Sequence, residues 1–329
     1  MADINSLTQR IFSVNSSTFD ELALDIFHFQ YQHNEVYRTY TDLLGKDINA
    51  VNQVDQIPFL PIEFFKSHNV KSGEWNSELI FESSGTSDAI TSEHHVFSEE
   101  FYLQNCFTTF EVKYGDLSDF TILALLPSYL ERGNSGLVSM VNHFINKTGS
   151  SDSGFFLNEF DALRERLIGL KETGKKTILW GVTFALLDFA SSHPLEFPEL
   201  IVMETGGMKG RRKEMIRPDV HRLLKTAFKT NKLHSEYGMT ELFSQAYARN
   251  NGIFEPANTM KVLSRDLNDP LDYPYYGKNG GLNIIDLANV NTCSFIETKD
   301  LGMVHMDGTF EVNGRIDNSE MRGCNLMLF

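Results

Sequence analysis

The stretch Lys232-Leu233-His234-Ser235-Glu236-Tyr237-Gly238-Met239-Thr240-Glu241 joins a short strand-like segment to a glycine turn that carries a hydroxyl and a carboxylate. A glycine at this turn lets the backbone approach a ligand without a Cβ in the way. Thr240 can donate a hydrogen bond to a phosphate oxygen. Glu241 offers the carboxylate oxygens that Mg²⁺ prefers alongside substrate phosphates. Taken alone, the stretch also fits an ordinary turn in which Thr240 caps a helix.

Strand and helix patterns alternate upstream of this turn. Strand patterns occupy residues 121–126, 177–182, 200–204 and 232–234, and helical patterns occupy residues 98–110, 137–145, 159–170, 183–190 and 219–228. Such alternation predicts an α/β fold, with a mostly parallel sheet covered by helices on both faces. Ligands of such sheets bind beyond the carboxyl ends of the strands.

The pattern changes near residue 252, where short β-type runs begin. They cover residues 260–263, 281–286, 293–298, 303–306 and 309–312 and are separated by turn residues. We therefore predict a small, mainly antiparallel β subdomain. The predicted division is an α/β core over residues 1–251, a β subdomain of the same large domain over residues 252–316, and a tail over residues 317–329.

The composition excludes several classes of partner. A formal net charge of −15 argues against general nucleic-acid binding, which needs clustered Lys and Arg, and against an anionic membrane surface. No apolar stretch reaches the roughly 18 residues of a membrane helix. The cysteines Cys106, Cys293 and Cys324 are too few and too scattered for a disulfide framework or a zinc site. With no signal-peptide pattern, the expected location is the cytoplasm.

Two further glycine turns follow predicted strands. Ser83-Ser84-Gly85-Thr86 follows a short strand pattern at residues 79–82 and offers hydroxyls and backbone amides that can hold phosphate oxygens. Gly206-Gly207 follows the strand pattern at 200–204 and precedes a basic patch that includes Lys209 and Arg211. Each turn alone also fits a flexible loop, and the patch also fits a solvated helix start. Their shared position after strands predicts that they form one site with the 237–241 motif.

The C-terminal part supplies three more candidate residues. Asp300, in a predicted turn between two strands, can accept both hydroxyls of a ribose, although turns commonly contain Asp. Gly314-Arg315-Ile316-Asp317 puts a cation and a carboxylate just past the last predicted strand. The same pair also fits a surface ion pair worth at most about 1 kcal/mol. Cys324 follows Arg322-Gly323, and a nearby arginine can lower a thiol pKa; it also fits an inert cysteine on a frayed tail.

The pair His94-His95 has no carboxylate or further His at metal-ligand spacing. We interpret it as solvent-facing or pocket-lining.

Together these stretches resemble the adenylate-forming superfamily of acyl- and aryl-CoA ligases, and within it the LuxE-type acyl-protein synthetases. The likeness spans nearly the whole chain. By this resemblance Ser83, Ser84, Gly85 and Thr86 form the phosphate loop, without the lysine that many members carry there. Gly206 and Gly207 match the segment that lines the adenine site. Tyr237 through Glu241 match the most diagnostic motif of the superfamily. Asp300 matches the ribose-binding aspartate, and Arg315 with Asp317 matches the arginine and hinge acid.

The resemblance implies an activity. It implies ATP and Mg²⁺ as cofactors, a fatty or aryl carboxylic acid as substrate, and an acyl-adenylate as intermediate, with Glu241 as the metal ligand and Cys324 as the acyl acceptor. A fatty-acid reductase or a carrier protein is then the expected partner. Most members continue into a lid domain with a catalytic lysine, which this chain is expected to lack. Adenylation would then be slower, with Lys209 or Arg211 as substitutes.

Two alternatives stay open. One is a ligase that transfers the acyl group to CoA or to a carrier protein, with Cys324 uninvolved. The other is a non-catalytic relative that binds a nucleotide or an acyl group.

Overall fold

The computed structural model describes residues 3–83, 91–126, 134–206, 215–267 and 276–316. By the contacts between its residues the chain divides into two compact units. The first unit combines Met1–Gly73 with Asn258–Phe329, and the second is Glu74–Ala257.

The helices begin and end where capping residues and glycines permit. Ser135 Oγ accepts a hydrogen bond from the backbone N–H of Val138, as expected for an N-cap. Gly149 and Gly174 end two helices in the left-handed conformation, which glycine adopts without strain. The described helices are α1 (Ile4–Phe12), α2 (Phe19–His33), α3 (Glu35–Leu43), α4 (Phe64–Ser67), α5 (Glu99–Tyr114), α6 (Gly136–Thr148), α7 (Phe160–Thr173), α8 (Thr183–Ser192) and α9 (Arg217–Phe228).

The strands are short and mostly buried. In chain order the described strands are β1 (Leu60–Pro61), β2 (Leu79–Glu82), β3 (Glu93–Val96), β4 (Phe120–Leu125), β5 (Gly154–Phe156), β6 (Lys176–Val182), β7 (Ile201–Thr205), β8 (Leu233–Tyr237), β9 (Ala246–Ala248), β10 (Ile253–Pro256), β11 (Met260–Arg265), β12 (Asn279–Asp286), β13 (Phe295–Val304) and β14 (Phe310–Arg315).

The second unit contains the predicted parallel sheet. Its strands pair parallel in the order β5-β4-β6-β7-β8, and β9 and β10 extend the sheet antiparallel. Strands β4 and β6 to β8 are almost fully buried, as expected of a sheet with helices on both faces. The α/β class predicted from the sequence is therefore confirmed, and these strands lie within one to three residues of their predicted positions.

The strand predicted at residues 79–82 is present as β2, but it does not belong to the parallel sheet. Strand β2 pairs antiparallel with β3 in a separate two-stranded sheet, with Phe81 opposite His94. Ser83 therefore does not follow a strand of the parallel sheet. A short apolar run does not specify its pairing partner, and the nearby Glu93–Val96 segment forms the hairpin with it.

The first unit contains the antiparallel β subdomain. Its strands pair in the order β11-β12-β13-β14, and β1 pairs parallel with β13. The predicted runs 293–298 and 303–306 belong to the single ten-residue strand β13. Asp300 therefore lies inside a strand, where it pairs with Arg315, and the predicted turn is wrong. The register of its pairing with β14 shifts between Leu301 and Gly302, as at a β-bulge.

Long-range hydrogen bonds join the N-terminal helices of the first unit to its C-terminal part. The Gln30 side chain donates to the carbonyl oxygens of Asn289 and Val290, at 3.0 Å each, and accepts from the N–H of Ser294 at 2.9 Å. Asn34 Nδ2 donates to the carbonyl oxygen of Thr292 at 2.9 Å. Both side-chain amides are fully buried, and burying them without hydrogen-bond partners would destabilise the fold.

An aromatic cluster in the first unit surrounds Phe295 on β13. The ring of Tyr37 stacks on it with 5.9 Å between centroids, and Phe27 and Phe59 meet it edge-on at 6.1 and 6.3 Å. The first 73 residues thus share a core with the β subdomain, which sequence patterns did not predict. The predicted division into 1–251, 252–316 and 317–329 stays a prediction.

None of the described helices is both long enough and apolar enough to cross a membrane.

Candidate active site

The 237–241 motif and Gly206 lie at the same edge of the parallel sheet. Strands β7 and β8 pair in parallel with Thr205 opposite Glu236. Gly206 follows β7 directly with a left-handed φ of 67°. Tyr237 is the last residue of β8, so Gly238, Thr240 and Glu241 follow at the carboxyl end of the neighbouring strand. Ligands of parallel sheets bind at this edge.

A buried histidine holds the turn that contains Thr240. His94 Nδ1 lies 2.8 Å from the carbonyl oxygen of Thr240. A carbonyl can only accept, so Nδ1 carries the proton. The His94 ring also packs on Phe243 with 4.5 Å between centroids. Burial lowers the pKa of His94 to about 4, so the imidazole is neutral near pH 7.

The solvent-facing interpretation is therefore wrong for His94. The alternation of side chains along β3 indicates the burial of His94, because His94 and Val96 lie on the buried face of the strand whereas Glu93 is exposed. His95 is half-buried, and its Nδ1 lies 2.9 Å from the Ser77 hydroxyl.

Helix α5 supports the same turn from another side. Asn105 Nδ2 donates to the carbonyl oxygen of Phe243 at 3.0 Å and to the Ser244 hydroxyl at 3.1 Å. Asn105 is buried, so these bonds form in a medium of low dielectric. The backbone on both sides of Glu241 is thus fixed, before it by His94 of β3 and after it by Asn105 of α5.

Glu236 occupies the space beside Gly238. One carboxylate oxygen, Oε2, accepts a hydrogen bond from the Thr205 hydroxyl. A Cβ on Gly238 would stand 2.5 Å from the other, Oε1. Glycine is required here because a carboxylate of the protein itself fills the space. Burial, opposed by the Thr205 hydrogen bond and assisted by the charge of Glu204, raises the pKa of Glu236 to about 7.

The substitution Gly238→Ala is expected to destabilise the protein by about 1–3 kcal/mol, the usual cost of overpacking. Glu236 cannot easily move aside, because it is buried and hydrogen-bonded to Thr205. Urea unfolding of Gly238→Ala, Glu236→Ala and the double variant measures the coupling. In the Glu236→Ala background the alanine at 238 should cost less than about 0.5 kcal/mol if the clash is the cause.

Gly169 provides the matched control. It lies in α7, and a Cβ there would meet no atom within 4 Å. Gly169→Ala should be neutral or stabilising by up to about 1 kcal/mol. If Gly238→Ala lowers the free energy of unfolding equally in the wild-type and Glu236→Ala proteins, Glu236 is not the obstacle.

A second buried glutamate anchors the opposite face of β7. Glu204 accepts from Arg217 Nε at 3.1 Å, from the Ser235 hydroxyl at 2.6 Å and from the Thr183 hydroxyl at 3.0 Å. The Thr183 hydroxyl also lies 2.8 Å from the carbonyl oxygen of Gly206. Burial alone would raise the pKa of Glu204, but the His221 hydrogen bond and the Arg217 charge hold it below its usual value. This network fixes the end of β7 and with it Gly206.

The motif residues themselves are largely enclosed. Tyr237 is buried and its ring packs near that of Phe254, with 5.8 Å between centroids. Glu241 is buried with 6% of its surface exposed, whereas Thr240 is half-buried. One fixed carboxylate fits Mg²⁺ bound mainly by substrate phosphates, since that ion usually takes one or two protein carboxylates. Among the described residues no group of three His, Cys, Asp or Glu side chains could hold a metal ion.

Asp300 and Arg315 form a cross-strand pair in the first unit. Arg315 Nε lies 3.9 Å from Asp300 Oδ1. The Arg315 side chain is 70% exposed and that of Asp300 is 17% exposed. A mostly hydrated arginine contributes little to stability through such a pair. Its exposure leaves the guanidinium accessible to a ligand.

Ser83 closes the base of the β2–β3 hairpin. Its N–H donates to the carbonyl oxygen of Ser92 at 3.0 Å, and its hydroxyl accepts from the N–H of Ser92 at 2.8 Å.

The predicted site residues that lie outside the described residues are Ser84, Gly85, Thr86, Gly207, Lys209, Arg211, Asp317 and Cys324.

Comparison with known proteins identifies the family and the fold. The family model described as acyl-protein synthetase, LuxE, matches residues 11–329. No match is found among curated proteins.

Several solved structures share the fold. An open conformation of 2-hydroxyisobutyryl-CoA ligase, in complex with 2-HIB-AMP and CoA, is 13% identical with a TM-score of 0.67 and covers 97% of this chain and 80% of that one. ATP-bound MatB from Rhodopseudomonas palustris is 19% identical with a TM-score of 0.54, covering 74% of this chain and 49% of that one. The luciferase-like enzyme from the nonluminescent Zophobas morio mealworm is 15% identical, with a TM-score of 0.52 and coverages of 83% and 62%.

This chain thus spans about half the length of MatB, and at these identities the likeness establishes the fold. The fold is that of adenylate-forming ligases, as the sequence resemblance predicted. Because the family model matches nearly the whole chain, the protein belongs to the LuxE family of acyl-protein synthetases.

Proposed function

We propose that this protein activates a carboxylic acid, most suitably a fatty acid, with ATP and transfers the acyl group to its own Cys324. In the first step a carboxylate oxygen of the acid attacks the α-phosphorus of ATP. The bond from that phosphorus to the pyrophosphate oxygen breaks, and pyrophosphate leaves. In the second step the Cys324 thiolate attacks the acyl carbonyl and AMP leaves with the bonding electrons, while the thiol proton passes to solvent.

Most of the predicted site residues have a direct role in this scheme. Thr240, with Ser83, Ser84 and Thr86, donates hydrogen bonds to phosphate oxygens, and Gly85 lets the backbone approach them. Glu241 would hold Mg²⁺, which supplies a Lewis acid against the phosphate charge. The adenosine is held by Asp300 at the ribose and by Gly206, Gly207 and Tyr237 at the base. Arg315, whose guanidinium stays charged, stabilises the phosphates or the closed state.

One observation supports this function above the others. The buried Glu241 follows β8 on a turn that His94 and Asn105 hold in place. Gly206 lies at the same edge, held through Thr183. Preorganised groups are the main source of electrostatic catalysis, because they need no reorganisation when charge develops. A rigid carboxylate and hydroxyl at the ligand-binding edge of a LuxE-family fold therefore favour chemistry at a nucleotide phosphate.

The choice of Cys324 is supported by the state of the other two cysteines. Cys106 and Cys293 are both fully buried. Burial raises the pKa of Cys293 to about 12, which keeps its thiol protonated and unreactive near pH 7. An acyl group carried as a thioester on Cys324 would be available to a partner reductase or to a carrier-protein thiol.

Acylation of the purified chain tests this proposal. Incubation with ATP, Mg²⁺ and radiolabelled straight-chain acids of increasing length should release pyrophosphate and label the protein with a hydroxylamine-sensitive bond. Cys324→Ser should abolish the label and leave ATP–pyrophosphate exchange within about twofold, because exchange needs only the first step. Cys293→Ala is the control and should retain the label.

Three results would redirect the assignment. Labelling of Cys324→Ser would place the acceptor elsewhere. Acyl transfer that occurs only with added CoA would identify a CoA ligase. ATP binding without pyrophosphate release across all acids would identify a non-catalytic relative.

A further inference from the structure

Three buried polar atoms of the second unit have no hydrogen-bond partner in the described part of the chain. They are Nε1 of Trp180, the hydroxyl of Tyr247 and Oε1 of Gln245. Trp180 and Tyr247 are fully buried, and Gln245 is 3% exposed. Buried polar atoms are almost always satisfied by protein, water or ligand, so three in one region require an explanation.

These atoms and Glu236 face the same side of the sheet. Glu236 pairs directly with Tyr247 across β8 and β9, and with Thr205 across β7 and β8. Trp180 pairs with Met203, two residues before Thr205, and therefore faces the same way. Gln245 precedes β9, two residues before Tyr247. We call Trp180, Glu236, Gln245 and Tyr247 the polar row.

The polar row extends from the motif into the core beneath α5. At its outer end, a Cβ on Gly238 would stand 2.5 Å from Glu236 Oε1 and 3.7 Å from Gln245 Cγ. At its inner end the rings of Trp180 and Tyr247 meet edge-on with 6.3 Å between centroids. Phe110 of α5 packs against both rings, at 6.4 and 6.2 Å. The row is therefore continuous with the proposed phosphate-binding turn and is covered by apolar rings.

The chemistry of the polar row matches a hydroxyl group. The Trp180 N–H can only donate, the Gln245 Oε1 can only accept, and the Tyr247 hydroxyl can do both. Burial, and next the charge of Glu236, raise the pKa of the Tyr247 hydroxyl, so it remains a donor. An alkyl chain in this region would leave all three atoms unsatisfied. A hydroxyl group accepts one hydrogen bond and donates another.

We infer that the polar row receives a hydroxyl group on the acid substrate, so that the enzyme activates hydroxylated fatty or aryl acids in preference to unsubstituted ones. The inference rests on the proposed acid activation. Trp180 and Tyr247 are then specificity-determining residues. A site built to bond a hydroxyl rejects the analogue that lacks it, because its own polar groups stay unpaired.

Acid-dependent ATP–pyrophosphate exchange with matched acids tests the inference. The pairs are octanoate with its 2-, 3- and 4-hydroxy derivatives, and benzoate with 3- and 4-hydroxybenzoate. We expect at least one hydroxy acid to exceed its parent in kcat/KM by about 10²-fold or more. Trp180→Phe and Tyr247→Phe each remove one polar atom and keep a ring, so each should reduce that preference by about tenfold.

Tyr114→Phe is the matched control. The Tyr114 ring packs against Tyr247 at 5.4 Å, but its hydroxyl already contacts His234 Nδ1 at 3.1 Å. This variant should keep the preference of the wild type. Thermal unfolding of all three variants identifies any that fail to fold, and either Trp180→Phe or Tyr247→Phe suffices for the test.

The outcomes separate this inference from the proposed function. Equal exchange with each hydroxy acid and its parent would overturn the inference, and ordered water would then satisfy the polar row. A preference that both Phe variants leave unchanged would overturn it as well. Absence of exchange with every acid would instead contradict the proposed acid activation.

Discussion

The substitution Glu241→Ala is expected to lower carboxylate-dependent ATP–pyrophosphate exchange by about 10²–10³-fold, the loss typical when one preorganised electrostatic group is removed. Glu241 is buried on a turn that His94 and Asn105 hold, so no other carboxylate can easily take its place. The measurement is exchange at saturating acid and ATP over a range of Mg²⁺ concentrations. Thermal unfolding of the same samples shows whether the variant is folded.

Glu93→Ala is the matched control for this loss. Glu93 lies on β3 next to His94, but its side chain is exposed. Removing this carboxylate should leave exchange within about twofold, as expected of a surface substitution. If folded Glu241→Ala exchanges as fast as the wild type, Glu241 does not hold the metal ion.

The substitution Glu236→Gln is expected to stabilise the protein at pH 8 and to have little effect near pH 4.5. Burial, opposed by the Thr205 hydrogen bond and assisted by the Glu204 charge, raises the pKa of Glu236 from 4.5 to about 7. Between these values the folded state holds a proton that the unfolded state has released, so stability falls as pH rises. At pH 8 the cost is nearly complete and amounts to about 3 kcal/mol.

Glutamine keeps the shape of the side chain and an acceptor for Thr205, but it cannot ionise. Urea unfolding at pH 5, 6, 7 and 8 should therefore show a stability gain over wild type that grows with pH. The other buried titratable groups near Glu236, which include Glu204, Tyr102 and Tyr247, are common to both proteins. Their contributions largely cancel in the difference.

Glu204→Gln provides a control of opposite sign. Glu204 is equally buried on the neighbouring strand, but His221 and Arg217 hold its pKa below the usual value despite burial. Its charged form stabilises the fold, so glutamine should lower stability at pH 8, with the deficit disappearing as pH falls through the folded pKa below 4.5. A gain for Glu236→Gln that does not change with pH would contradict a raised pKa.

The parallel sheet was predictable because its strands are buried on both faces. Continuous apolar runs such as residues 121–126 and 177–182 mark such strands directly, and β4 and β6 lie within a residue of them. The pairing of β2 was not predictable, because a four-residue run carries no information about its partner. Local composition predicts a turn at Asp300. In the structure β13 continues through this residue, because β12 and β14 pair with β13 on its two sides.

The position of the 237–241 motif at a strand end was predictable, because the motif is local in sequence. The glycine, hydroxyl and carboxylate of the 237–241 motif stand together in the chain and lie together at the strand end. The supports of that motif come from distant segments. His94 contacts Thr240 across 146 positions, and Asn105 contacts Phe243 across 138. The burial of Glu204 and Glu236 likewise arises from strand pairing, which single-sequence patterns do not report.

The bonds from Gln30 and Asn34 to the 289–294 segment set an order for folding during translation. The second unit is one continuous stretch, Glu74–Ala257, and can form as it leaves the ribosome. The amino-terminal helices cannot form these bonds until residues 289–294 have been synthesised, a delay on the order of ten to fifty seconds at about 5–20 residues per second. These bonds therefore form only after the whole of the second unit has been synthesised.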